Sequence, residues 1–242
     1  MSVVEEDKTV GKMVAEDYRK AVVFKRHGID FCCGGNIPLS QACKEKNADI
    51  DAVQLELDEI DNRQTPPEKD FDAWELDILV DHIVGVHHVY VKKSNPSIRE
   101  FVNRVKMVHG MNKPNVSEIS DRFDSLAQEL DAHMQKEEAI LFPYIKELVA
   151  AKKAGTSISS PFGTVQNPIN MMLSEHDSAG NELEAIQKLT EDYSPPKGAC
   201  ATHKVSYGQL KEYADDLMRH IHLENNVLFP KAIELEKELL AL

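Results

Sequence analysis

The sequence predicts an all-α protein in which a small helical N-terminal module precedes an up-down-up-down four-helix bundle. Three observations carry that prediction. Four long stretches repeat apolar residues at helical spacing, and a polar, proline-bearing break sets them apart from what precedes them. Only 6% of the 242 residues are aromatic and 11 are glycine, a composition that argues against a strand-rich sandwich or barrel.

The elements follow in chain order. Thr9 is placed to cap a first helix that runs to Gly28, with Val10, Met13, Val14, Tyr18, Ala21, Val22 and Phe24 near one face. The turn DFCCGG comes next, then a short helix over Pro38–Lys46. A third helix lies in DIDAVQLELDEI, and no segment here reads as a strand. The break NRQTPPEKDFD, Asn62–Asp72, reads as a linker. The resulting plan is a module over residues 1–61, a linker over 62–72 and a bundle over 73–242. The first bundle helix spans Trp74–Lys93, is interrupted at Pro96 and resumes over Ser97–His109. A turn over Gly110–Asn115 leads into a second helix, Ser117–Ala151. A loop rich in Gly, Ser and Pro precedes a third, Pro168–Asp192, and YSPPKGACA precedes a fourth, His203–Leu239.

Charge and composition exclude several function classes. With 28 basic against 41 acidic residues the net charge is −13, which makes nucleic acid a poor partner. No stretch approaches 18 uninterrupted apolar residues, so no membrane span is expected. The start MSVVEEDKTV lacks a basic run followed by an apolar one, so no secretory signal is expected. Four cysteines are too few for a disulfide framework, and together these features predict a reducing, cytoplasmic location.

The chemistry lies in an internal repeat. HMQKEEAILFP (His133–Pro143) and HIHLENNVLFP (His220–Pro230) share the pattern H-x-x-x-E-x-x-x-L-F-P, 87 residues apart. On a helix, positions i and i+4 share a face, so His133 pairs with Glu137 and His220 with Glu224. Each prolines of the two repeats, Pro143 and Pro230, is expected to kink or end its helix. His176 precedes His220 by 44 positions, and a histidine of the first bundle helix stands correspondingly before His133. His88 fits that place, at 45 positions, but its neighbour His87 is not excluded by apolar phase. His27, His82, His109, His203 and His222 read as solvated histidines or as neighbours of the ligands. Four imidazoles and two carboxylates at a bundle centre suit two first-row transition metals, iron before others, sharing the carboxylates. A single His-x-x-x-Glu is more often a surface pair; the matched second copy is what points to metal.

Between a helix end and the next helix start stand Cys32 and Cys33, where backbone N–H groups and the helix dipole are expected to favour the thiolate. The bland reading of the pair is a structural turn with two buried thiols. No role attaches to Cys43 or Cys200.

With these motifs in hand, HGIDFCCGG, DHIVGVHH, HMQKEEAILFP, SEHDSAG and HIHLENNVLFP, the chain resembles the iron-sulfur cluster repair di-iron proteins (the RIC group, ScdA- or YtfE-like) over nearly its whole length. The resemblance implies an ScdA-type N-terminal domain joined to a hemerythrin-like bundle. It implies His88 rather than His87 as the first ligand, with His133, His176 and His220 as the others and Glu137 and Glu224 as bridges. It implies two non-haem iron ions per chain, bridged also by an oxo or hydroxo group, and marks Glu129 and Glu175 as acidic residues beside the iron pocket. It implies repair of clusters damaged by oxidative or nitrosative stress, with damaged iron-sulfur proteins or a cluster scaffold as partners, nitric oxide or dioxygen as small ligands, and a homodimer. Cys32 and Cys33 then become redox or transfer candidates. Two alternatives stand beside repair: a di-iron nitric oxide reductase or scavenger using Glu129 and Glu175 as acids, and an oxygen or redox sensor.

Overall fold

The computed structural model describes residues 8–62, 71–111 and 113–241. Residues 63–70 of the expected linker, the first seven residues read for targeting, and Asn112 of the expected turn lie outside the described residues. Among the described residues the fold is helical throughout. The one extended pairing is a single bridge between Thr9 and Pro38.

The N-terminal module holds α1 (Val10–Glu16), a 3-10 turn (Tyr18–Lys20), α2 (Ala21–Arg26), α3 (Leu39–Lys46) and α4 (Ile50–Asp61). Thr9 caps α1 by accepting from the Lys12 N–H at 3.3 Å. The single helix expected from Thr9 to Gly28 is broken at Asp17. Its backbone is extended at φ −151°, and its carboxylate takes the Arg19 N–H and pairs with the Arg19 guanidinium. An aspartate that hydrogen-bonds the chain two residues on starts a new turn, which is why the apolar periodicity runs through the break unaltered. Gly28, at φ +66°, ends α2 in the left-handed region as a glycine can.

The bundle comprises α5 (Leu76–His82) and α6 (Val89–His109), α7 (Pro114–Lys136) and α8 (Phe142–Ala154), α9 (Gln166–Leu189), and α10 (Ala201–Leu223) and α11 (Phe229–Leu240). The three jointed pairs are each joined by a π segment: Ile83–His88, Glu137–Leu141 and Glu224–Leu228. Pro96 does not interrupt the first bundle helix, since α6 passes through it. The hydrogen bond that proline removes is offset by burial of Val91, Ile98, Val102 and Val105, and by Asn95. Asn95 accepts from the Tyr213 hydroxyl at 2.8 Å and donates to Asp131 at 3.1 Å. Pro143 and Pro230 do not end their helices, which run on through α8 to Ala154 and α11 to Leu240. They stand in the first turn of α8 and α11, one residue past the last i→i−5 bond of a π segment (Phe142 N–H to Glu137 O, Phe229 N–H to Glu224 O). A residue without an N–H fits where the hydrogen-bond register changes.

Two apolar cores flank the level of the π segments. One joins Val10, Met13, Phe24 and Phe31 of the module to Phe123, Leu126, Leu217 and Ile221 of the bundle. The other is built by Leu79, Ile83, Leu148, Leu228, Phe229 and Leu239. No helix of the described residues is long and apolar enough to cross a membrane.

Candidate metal centre

Between the two cores six side chains converge. His88 and the carboxylates of Glu137 and Glu224 are wholly shielded from solvent, and His133, His176 and His220 nearly so. The four imidazoles point Nε2 inward: His88 and His220 approach to 3.2 Å, His133 and His176 to 3.0 Å. Glu137 divides its oxygens between the two pairs, Oε2 lying 3.4 Å from His88 Nε2 and Oε1 3.4 Å from His133 Nε2. Glu224 does the same, with Oε1 3.0 Å from His220 Nε2 and Oε2 3.1 Å from His176 Nε2. Two four-donor clusters result: His88, His220, Glu137 and Glu224, and His133, His176, Glu137 and Glu224. The first bundle helix is thereby paired with the fourth and the second with the third, a pairing that the repeat alone left open.

The outer nitrogens are held by a second ring of residues. His88 Nδ1 donates to Glu138 at 2.7 Å, His133 Nδ1 to Glu175 at 2.8 Å, and His176 Nδ1 to Asn225 at 2.7 Å. Lys92 and Lys136 anchor Glu138 and Glu175 in turn. A proton fixed on Nδ1 leaves the Nε2 lone pair free to face a cation. The phenylalanines of the L-F-P motifs pack on the rings: Phe142 stacks on His88 at 5.7 Å and Phe229 on His176 at 5.9 Å.

These donors fit a pair of metal ions. Both oxygens of Glu137, Glu224 Oε2 and His220 Nδ1 are buried without a hydrogen-bond partner, although a buried carboxylate demands positive charge or donors. Donors on adjacent vertices of an octahedron with ~2.1 Å bonds sit about 3.0 Å apart, close to the 3.0–3.4 Å that separates the neighbouring donors here. With no cation considered, burial pulls the His133 imidazolium down, but the Glu137 charge beside it outweighs burial and pushes it up to about 9. His88 is raised in the same way, against its burial, by Glu137 and Glu224. Burial favours the neutral acid at Glu224, yet His220 and His176 hold that carboxyl well below the usual range. The carboxylate pair thus gathers positive charge at the spot where ions would sit.

Other sequence-predicted residues fall elsewhere. Glu129 is exposed and accepts from the Ser125 hydroxyl at 3.2 Å, away from the cluster, whereas Glu175 touches His133. His203 and His222, read as solvated or as neighbours of the ligands, are buried, and so is His87, the alternative to His88. His87 Nδ1 donates to Asp216 at 2.9 Å while its ring stacks on His220. His222 packs edge-on to Phe31 of the module. Glu138 and Asn225 escaped the sequence reading. Each directly follows a glutamate of the repeated motif, so the repeat held a usable signal one position further on.

The cysteine turn lies against this centre. Asn225, which holds His176, donates through Nδ2 to the Cys32 carbonyl at 3.2 Å, and Cys33 Sγ lies 3.5 Å from the His176 carbonyl oxygen. The backbone N–H groups expected to favour a thiolate are taken by Asp30 instead. Its Oδ1 accepts from Cys32 and Cys33 and its Oδ2 from Gly34. The Cys32 thiol is accordingly pushed well above the usual range, by its bond to Cys33, by burial and by the Asp30 charge. The expectation of a lowered thiol is overturned at Cys32.

Comparison with known proteins agrees with this layout. Residues 6–61 match ScdA_N, described as a domain of unknown function, and residues 78–232 match the hemerythrin HHE cation binding domain. The chain is 37% identical over 228 residues to the iron-sulfur cluster repair protein YtfE of Citrobacter koseri, covering 94% of this chain and 97% of that protein. It is 36% identical, with the same coverage, to the proteins of that name from Escherichia coli and Salmonella newport.

Proposed function

The chain belongs to the family of iron-sulfur cluster repair proteins, and from that premise we propose that it repairs damaged clusters with two iron ions held by His88, His133, Glu137, His176, His220 and Glu224. The observation that carries this reading is the division of each glutamate's oxygens between two imidazole pairs. Iron bound there would supply a labile metal source and coordination positions for nitric oxide or dioxygen.

The residues do the rest. Four protein donors per cluster are fewer than the six of an octahedral site, so ions held there would keep exchangeable positions. Glu138, Glu175 and Asn225 fix three rings by their Nδ1 atoms, so the Nε2 atoms stay aimed as a cation enters or leaves. A metal entering would displace the protons that the carboxylates favour on His88 and His133, which would couple uptake and release to protons. Damaged iron-sulfur proteins in the cytoplasm are the targets we assign.

One observation favours iron supply over nitric oxide reduction. The reductase reading needs free acids beside the ions, but Glu129 lies on the outer face and Glu175 is engaged by His133 and Lys136. The test is bound iron in His133→Leu and His220→Leu, together with recovery of a damaged iron-sulfur enzyme on incubation with each protein. Loss of iron and of recovery is expected; two irons retained per chain in either variant would remove the assignment.

A further inference from the structure

A groove of about 950 Å³ runs between the N-terminal module and the bundle, bordered by Val22, Lys25, Tyr193, Met218 and Ile221. Asp30, Cys32 and Cys33 line it too, and none of the three belongs to the dinuclear centre. One ligand atom from each lies within 4.8 Å of the other two. The two Sγ atoms are 3.8 Å apart and Cys32 Sγ is 3.2 Å from Asp30 Oδ1. Two thiolates on a tetrahedral cation with ~2.3 Å bonds lie about 3.8 Å apart, and a thiolate and a carboxylate oxygen at ~2.0 Å lie about 3.5 Å apart. The separations of 3.8 and 3.2 Å lie close to these values.

We propose that Asp30, Cys32 and Cys33 form a second cation site, distinct from the dinuclear centre, that binds one divalent cation through two thiolates and a carboxylate and leaves a fourth position open to the groove. Two further features support it. The Asp30 carboxylate is clamped by three backbone N–H groups, so one ligand is already oriented and the turn need not reorganise. All three residues line the groove, so an ion has a way in, and a fourth position left open would mark an exchange site, not a structural one. Binding converts two thiols to thiolates and releases two protons, so affinity rises with pH. Zinc and ferrous ions both suit this donor set.

The site is tested on the full chain, reduced, anaerobic and preloaded with iron, by titration with Co²⁺. Thiolate-to-cobalt charge-transfer absorption saturating at one equivalent is expected. It should vanish in the Cys32→Ser/Cys33→Ser double variant, weaken in Asp30→Asn, and persist in Cys43→Ser and Cys200→Ser. Competition by Zn²⁺ and Fe²⁺ in separate arms then ranks the two cations. The dinuclear donors contain no sulfur, so this band reads the cysteine site alone, and a failure of the iron assignment would leave it unaffected. Circular dichroism and iron content show whether each variant keeps its fold. Absence of the band in the parent chain would overturn the proposal, as would its survival in the double variant; Cys33→Ser, at the more exposed thiol, offers the same comparison should the double variant misfold.

Discussion

Glu175 and Glu129 separate a residue that acts on the centre from one that does not. Glu175 accepts the Nδ1 proton of His133 and is itself held by Lys136. Removing such a support lowers metal affinity by roughly 10–100-fold, because the ring loses its tautomer and its aim. Glu175→Ala is therefore expected to bind iron about that much more weakly in chelator competition, while Glu129→Ala, altered at an exposed position, is expected to match the parent. Equal affinities for the two variants would show that the His133 ring is held by packing alone. Four of the converging side chains, His133 with Glu137 and His220 with Glu224, were legible because a helix puts i and i+4 on one face; His176 followed from its matched place before His220, and His88 was set apart from His87 only by the resemblance. Their supports were legible only in part. Glu175 directly precedes His176, yet it serves His133 on a different helix, and nothing in the local spacing says so. His87 holds the corresponding place before His88, where it stacks on His220 and gives its proton to Asp216. The two halves thus repeat their positions while differing in what those positions do.

At the scale of elements, the π segments are what let one helix serve both a core and a metal. Within Glu137–Leu141 and Glu224–Leu228 the chain makes i→i−5 bonds, so the face carrying the glutamate and the face packing Leu148 or Leu239 need not share a strict 3.6-residue phase. Deleting Ile140, which is 48% exposed, would return the segment to α-helical register. That leaves α8 in phase with α7, because the π segment does no more than absorb one extra residue. What is lost is the widened turn at Glu137, which sets its carboxylate between His88 and His133. The deletion variant is expected to bind fewer than two irons per chain by elemental analysis and to melt at a lower temperature. Ile140→Ala, which keeps the extra residue, is expected to do neither. Two irons and an unchanged melting temperature in the deletion variant would mean that the π segment is incidental. Hydrophobic periodicity could not reveal these segments, since one extra residue in a five-residue window is lost among the apolar positions around it. The same limit hid the break at Asp17, which depends on a single side chain bonding its own backbone.

Over the whole molecule, the N-terminal module is part of the bundle's packing and not an appendage to it. Val10, Phe24 and Phe31 share a core with Phe123 and Leu217, and Asn226 of the third π segment donates to the carbonyls of Phe31 and Cys32, each at 3.2 Å. At the seam Gly11 and Gly35 meet back to back, the Gly11 N–H donating to the Gly35 carbonyl at 2.7 Å. A Cβ on Gly11 would collide with the Asn226 carboxamide and come within 3.0 Å of the Gly35 carbonyl oxygen. Overpacking of this kind costs about 1–3 kcal/mol. The strain falls on the contact between module and bundle, so it favours their separation, and each ~1.4 kcal/mol changes that equilibrium tenfold. The same seam covers the His176 side of the metal centre, through Asn225 and the Cys32 carbonyl. Gly11→Ala leaves all six ligands in place, so two irons per chain are expected at equilibrium. A chelator, however, is expected to strip them roughly tenfold faster, because the separated form that exposes His176 is more populated. A stripping rate equal to that of the parent would show that iron leaves by a route the module does not guard.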